Sequence, residues 1–126
     1  MQTLRSVPVN KKMENSSNRQ QKIAKQIQKD MAEILQQQMP EVALGSLVTV
    51  TAVRISPDFG YAKIYVSIFP FARHEQVMQS LEQHLRPLRG LLGNRLRNQL
   101  KSIPEIQFFL DDSLEYIEHI EQAMKN

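Results

Sequence analysis

No cysteine occurs among the 126 residues. That excludes a disulfide scaffold, thiolate zinc sites and cysteine nucleophiles, and it sits easily with a reducing cytoplasm. Tryptophan is also absent, and aromatics make up only 6% of the chain, few members for a base-stacking platform. No apolar run approaches 18 residues and mean hydropathy is −0.40, so no membrane span is expected. No apolar segment follows Arg5, the first basic residue, so no signal peptide is read. The three histidines, His74, His84 and His119, have no metal-ligand spacing to one another, and neither a metal nor another cofactor is expected. A G-x-S-x-G elbow, a P-loop and a Ser-His-Asp order are all missing. Asp111 and Asp112 are read as capping a helix rather than as an acid/base pair or a magnesium site. The chain is therefore expected not to be an enzyme, and to take no small-molecule substrate.

What is present is charge in blocks. The formal net charge is only +3, but it is unevenly placed. Residues 1–40 carry seven basic and three acidic side chains, a balance of +4; residues 41–83 carry three and four, a balance of −1. Residues 84–101 carry five basic and no acidic side chain, and residues 102–126 carry one and six. Such segregation concerns partners more than fold.

The length fits one domain, which a single core can stabilise. Residues 1–15 are polar and aperiodic and are expected to form a disordered tail, leaving 16–126 as the domain. Met13 is a possible alternative start. An N-cap at Ser16 or Ser17 precedes a helix with Ile23, Ile27, Met31, Ile34 and Leu35 on one face. Lys22, Lys25 and Lys29 share another face, and Pro40 closes the helix. Residues 47–55 read as a β-branched strand, 56–60 as a turn, and 61–69 as an antiparallel partner stopped by Pro70. A helix follows from His74, burying Val77, Leu81 and Leu85, and Pro87 is expected to end or kink it. A further helix carries Leu88, Leu92, Leu96 and Leu100. Pro104 opens a third strand, and residues 112–115 have capping-box character for a last helix with Leu114, Ile117 and Ile120 inward. The fold class is α/β in the broad α+β sense, with helices on one face of a three-stranded sheet.

The basic block is the functional candidate. Drawn as one helix, residues 86–101 place Arg86, Arg89, Arg97 and Lys101 within about a third of the circumference, opposite the leucines. Gly90 and Gly93 lie on or beside that arc, where a phosphate backbone could approach closely. Arginine suits bidentate phosphate contact. Arg95 projects toward the apolar side and has no evident role in this drawing. Gly90-Leu91-Leu92-Gly93 spells the G-x-x-G of KH loops, but the two leucines read better as packed helix interior.

Three blocks carry a resemblance. Val50-Thr51-Ala52-Val53-Arg54-Ile55-Ser56-Pro57-Asp58 with Tyr61-Ala62-Lys63-Ile64-Tyr65-Val66-Ser67, preceded by Arg19-Gln20-Gln21-Lys22-Ile23-Ala24-Lys25 and followed by Ile103-Pro104-Glu105-Ile106-Gln107-Phe108, resemble the ribosome-binding factor A family over about residues 18–120. The resemblance implies a KH-like type II domain, α-β-β-α-kink-α-β with a C-terminal helix. It also implies a cytoplasmic factor, with no enzymatic activity, that binds the free small ribosomal subunit and assists late maturation and 5′-end processing of its rRNA, with a link to growth in the cold. Many members carry Ala-x-Gly at the kink; here His84, Leu85 and Arg86 stand there, so Pro87 is the expected source of the bend. On this reading Arg86, Arg89, Arg97 and Lys101, with Lys22, Lys25 and Lys29 as a second strip, contact rRNA, and nothing demands more than a monomer. Two alternatives are an adaptor acting through the acidic residues Glu115, Glu118 and Glu121, and a general nucleic-acid binder.

Overall fold

The computed structural model describes residues 17–111. The expected N-terminal tail and the C-terminal helix, with its acidic residues, lie outside them.

Helix α1 (Asn18–Glu33) starts on a reciprocal cap. The Gln20 amide donates to Ser17 Oγ at 3.0 Å, and the Ser17 amide donates to Gln20 Oε1 at 2.9 Å. Two backbone donors left without a partner by the first turn are thereby satisfied. Gln20 also donates from Nε2 to the Ile55 carbonyl, pinning the start of α1 to the end of a strand. Ile23, Ile27 and Met31 are buried along one face, and a widened turn over Ile34–Gln38 continues it with Ile34 and Leu35. Pro40 then forbids helical geometry at Met39.

Strands β1 (Leu47–Ile55) and β2 (Tyr61–Phe69) pair antiparallel, from Leu47 opposite Phe69 to Ile55 opposite Ala62. The register slips between Val50 and Ala52, leaving Thr51 as an extra residue. Its hydroxyl donates to Asp111 Oδ2 at 2.7 Å, and Gln28 of α1 donates to the Val50 carbonyl. Strand β3 (Glu105–Leu110) runs parallel to β2 on the other side, giving the order β1-β2-β3. A parallel neighbour requires a crossover, and α2 (His74–Gln83) and α3 (Leu85–Leu96) supply it.

All three helices cover one face of the sheet. Ile64, Val66, Phe108 and their neighbours meet Ile27, Val77, Leu81, Leu88, Leu92 and Leu96 there. Each such fully buried aliphatic side chain stabilises the fold by about 1.5–3 kcal/mol. The expected α-β-β-α-kink-α-β order is observed, in the arrangement of a type II KH-like domain.

Two expectations for the crossover need correction. The break between α2 and α3 falls at His84 (φ −107°, ψ 17°), three residues before Pro87. The proline ring would collide with the carbonyl four residues back, at Gln83. The chain therefore leaves helical geometry at His84, and Pro87 sits in the first turn of α3, where its missing N–H is not needed. His84 Nδ1 lies 2.7 Å from the Ser80 carbonyl and stays on the end of α2. The second correction concerns length: the helix ends at Leu96, so residues 86–101 are not one helix. Leu100 is still buried, held in a turn by its amide donating to the Leu96 carbonyl.

Candidate nucleic-acid interface

Positions 86, 90, 93 and 97 follow one another at helical steps of four, three and four. Ideal geometry keeps such a row within about 60° of arc and makes it about 16 Å long. Arg86 and Arg97 are exposed at its two ends, Arg97 still with helical backbone at the cap. The row forms one wall of a cleft whose other wall is the chain entering β3, with Ser102, Ile103, Glu105 and Ile106. Asn94 also lines it.

Arg89 lies on the same wall but is already engaged. Its Nε donates to the Pro104 carbonyl at 2.9 Å and its Nη2 to the Ile103 carbonyl at 2.7 Å. Glu105 Oε2 is 3.7 Å from the same nitrogen, an exposed pair of small energetic weight. Arg89 thus fastens one wall of the cleft to the other. The acid-free reading of residues 84–101 did not anticipate Glu105, because a carboxylate from the next segment arrives through folding. Gly93 has a packing reason: a Cβ there would meet Ile103 Cγ1 at 3.0 Å. Lys101 is exposed beyond the end of α3 and is not among the residues lining the cleft.

The second strip comes together as expected. Lys22, Lys25 and Lys29 are exposed on α1 and line a separate cleft with Arg19, Gln26 and Gln99, none of them acidic. Arg19 is held in place, its guanidinium 4.6 Å from the Phe59 ring and its Nη2 donating to the Gln99 carbonyl at 3.0 Å. Phe59 adopts a left-handed backbone (φ 60°) at the tip of a turn tied by Asp58. That carboxylate accepts from Ser56 Oγ at 2.7 Å and from the Gly60 amide at 2.9 Å, and these bonds hold its pKa below the usual value. Residues 97–99 bridge the two surfaces, since Arg97 borders the first cleft and Gln99 the second.

Arg95, without a role in the helical drawing, is turned toward α1. Nine residues from Arg86 at 100° each, it lies diametrically opposite. Its Nη1 donates to Glu33 Oε1 at 2.6 Å and to Asp30 Oδ1 at 3.3 Å. The bond from Arg95 lowers the Glu33 pKa. Asp30 is buried and also accepts from Gln26. An unexplained cation on an apolar face together with two acids three residues apart on another helix was the signal in the sequence.

Aromatics are few in this chain, yet the sheet gathers three of them on its other face. Tyr65 stacks with Phe109 at 5.5 Å, Lys63 Nζ lies 5.6 Å from the Phe109 centroid, and the Tyr61 hydroxyl meets Gln107 at 2.7 Å. Among the described residues, no group of three His, Asp or Glu is placed to hold a metal, and no helix is long and apolar enough to cross a membrane.

Known proteins match both the sequence and this arrangement. Ribosome-binding factor A of Christiangramia forsetii is 41% identical over 110 residues, covering 86% of this chain and 84% of that protein. The protein of the same name from Flavobacterium psychrophilum is 37% identical over 109 residues, with the same coverage. The crystal structure of ribosome-binding factor A from Thermus thermophilus superposes with a TM-score of 0.62 at 25% identity, covering 72% of this chain and 94% of that one. A homology model of the Thermus thermophilus factor, as fitted into the cryo-EM map of a complex of 30S with that factor, superposes with a TM-score of 0.57 at 27% identity, covering 70% of this chain and 90% of that one. The family model for Ribosome-binding factor A spans residues 19–124, from the α1 arginine that stacks on Phe59 through both cationic clefts and beyond β3, and on that match this chain belongs to the ribosome-binding factor A family.

Proposed function

We propose that this chain is an assembly factor that binds the free small ribosomal subunit and assists late maturation and 5′-end processing of its rRNA. It acts as a cytoplasmic monomer, without catalysis, cofactor or small-molecule substrate of its own. The observation that carries this reading is the approach of two cation-lined clefts to each other at residues 97–99. Arg86 and Arg97 present forked donors to phosphate in the first cleft, and Lys22, Lys25 and Lys29 add point charges along the second. Lys101 extends the basic surface beyond α3, while Arg89 sets the width of the cleft and offers what remains of its charge. Recognition of this kind follows backbone and shape, and weakens steeply with salt. The 30S complex of the Thermus thermophilus factor is the parallel in a relative.

Co-sedimentation with purified small subunits in a sucrose gradient tests the reading. The wild-type chain should travel with the subunits at low salt and be released as salt rises. Arg86→Glu combined with Arg97→Glu should weaken binding by about thirtyfold or more, since two favourable phosphate contacts become repulsive. A wild-type chain that stays at the top of the gradient at low salt sinks the proposal. Competition by bulk duplex DNA as strong as by rRNA would replace it with general nucleic-acid binding.

A further inference from the structure

Gly90 poses a question that Gly93 does not. Glycine is the poorest helix former after proline, because it surrenders the most backbone freedom on folding. A glycine inside a helix is ordinarily kept for a left-handed backbone or for a neighbour too close to admit a Cβ. Gly93 satisfies the second condition through Ile103. Gly90 satisfies neither: its backbone has no positive φ, and a Cβ built on it would meet no atom within 4 Å. The residue is exposed near the middle of α3, on the cleft wall between the guanidinium groups of Arg86 and Arg97. By helix rise it lies about 6 Å from the first and about 10 Å from the second along the axis. The folded chain alone gives no reason for the missing side chain.

We infer that Gly90 is the contact point at which an RNA sugar-phosphate backbone lies directly against α3, with Arg86 and Arg97 holding phosphates on either side. The inference rests on the rRNA-binding reading above and adds the place of closest approach. With no side chain at 90, a strand can touch the helix backbone, and the two arginines reach their phosphates without spanning a gap. A methyl group would hold the strand off by the thickness of one carbon. Because the surface is open in the unbound protein, that methyl group costs the fold nothing. Glycine here trades helix stability for contact, and that trade is what an experiment can read.

Gly90→Ala and Gly90→Met should each be assayed twice, for thermal unfolding of the full chain and for binding to free small subunits. Alanine should raise Tm by about 2–5 °C, through better helix propensity and a less free unfolded chain. Over-filling a close-packed contact costs about five- to a hundredfold in equilibrium constant; alanine should lie at the lower end of that range and methionine at the upper. Better folding with poorer binding, graded by side-chain size, is the expected signature. Variants that bind as tightly as the wild type overturn this inference and leave the rRNA-binding reading standing. A lower Tm for Gly90→Ala would reveal a packing reason for the glycine and overturn the inference too. A wild-type chain that fails to bind subunits removes both.

Discussion

Two edges of α3 carry the same residue type in opposite circumstances. On the cleft edge, Arg86 and Arg97 are exposed to solvent. On the opposite edge Arg95 lies among carboxylates of α1, with Asp30 buried beneath it. Position on the helix, not the residue type, decides whether a cation is built into the fold or left exposed at the surface. Net charge per segment treats all of them alike. Arg89 stands between the extremes, since its guanidinium ties α3 to the backbone entering β3 while facing the cleft.

The sharpest way to break this contrast is to remove the inward arginine. Arg95→Ala leaves the Asp30 carboxylate, whose side chain is only 6% exposed, with Gln26 as its remaining side-chain partner. Stranding one member of a buried pair costs about 3 kcal/mol, or a fall in Tm of about 10 °C for a domain of this size. Chemical unfolding should show that loss, while the folded fraction binds subunits as the wild type does. Asp30→Asn in the same chain should recover part of it, because the stranded charge is gone. Equal destabilisation by Arg86→Ala would show that the two edges do not differ.

The α1 strip sharpens the comparison from the other side. Lys22, Lys25 and Lys29 are exposed, so replacing all three with Gln should leave stability within about 0.5 kcal/mol. On the proposed rRNA-binding reading, they would act as point charges. The triple variant should lose about tenfold in affinity at low salt, with the salt slope reduced by roughly 0.7–0.9 per lost phosphate contact. Affinity that falls equally at all salt concentrations would mean that the strip shapes the surface rather than neutralising phosphate.

How much of this was legible depended on whether a signal was local. The N-cap read at Ser16 or Ser17, the alternation of Ala62, Ile64, Val66 and Ile68, and the turn at Pro57 and Asp58 act within a few residues, and each produced the element that it announced. The clustering of Lys22, Lys25 and Lys29 also followed from one helix's periodicity. The misplaced features depend on chain segments meeting after folding. Pro87 signalled a break, but the collision that sets its place occurs four residues upstream. Leu100 continues the leucine period, yet it is buried from a turn, so periodicity overran the end of α3 and carried Lys101 with it. Glu105 and Arg89 are sixteen residues apart, and Arg95 and Asp30 sixty-five. Nothing in a one-dimensional reading ranks such pairs above any other. The register slip at Thr51 has no local signature either, because Thr51 sits in an unbroken β-branched run.

The mildest consequence of the inward arginine is a dependence on acid. The bond from Arg95 lowers the Glu33 pKa below its ordinary 4.5, which means that the folded state binds the proton less readily than the unfolded chain. The stabilisation is therefore fully present above the unfolded value and is lost as pH falls through the lowered folded value. Asp58 acts in the same sense through its turn bonds, from an ordinary value of 3.8. Glu33→Gln keeps an acceptor opposite Arg95 but removes the titrating group. The gap in Tm between wild type and Glu33→Gln should be constant near neutrality and should close as pH drops below about 4.5, while a shallower acid slope from Asp58 persists in both. Because Glu33 is partly exposed, added salt should narrow the neutral-pH gap as well. A gap that ignores both pH and salt would assign the Glu33–Arg95 contact to shape rather than charge, and would leave Asp30 alone as the reason why Arg95 points inward.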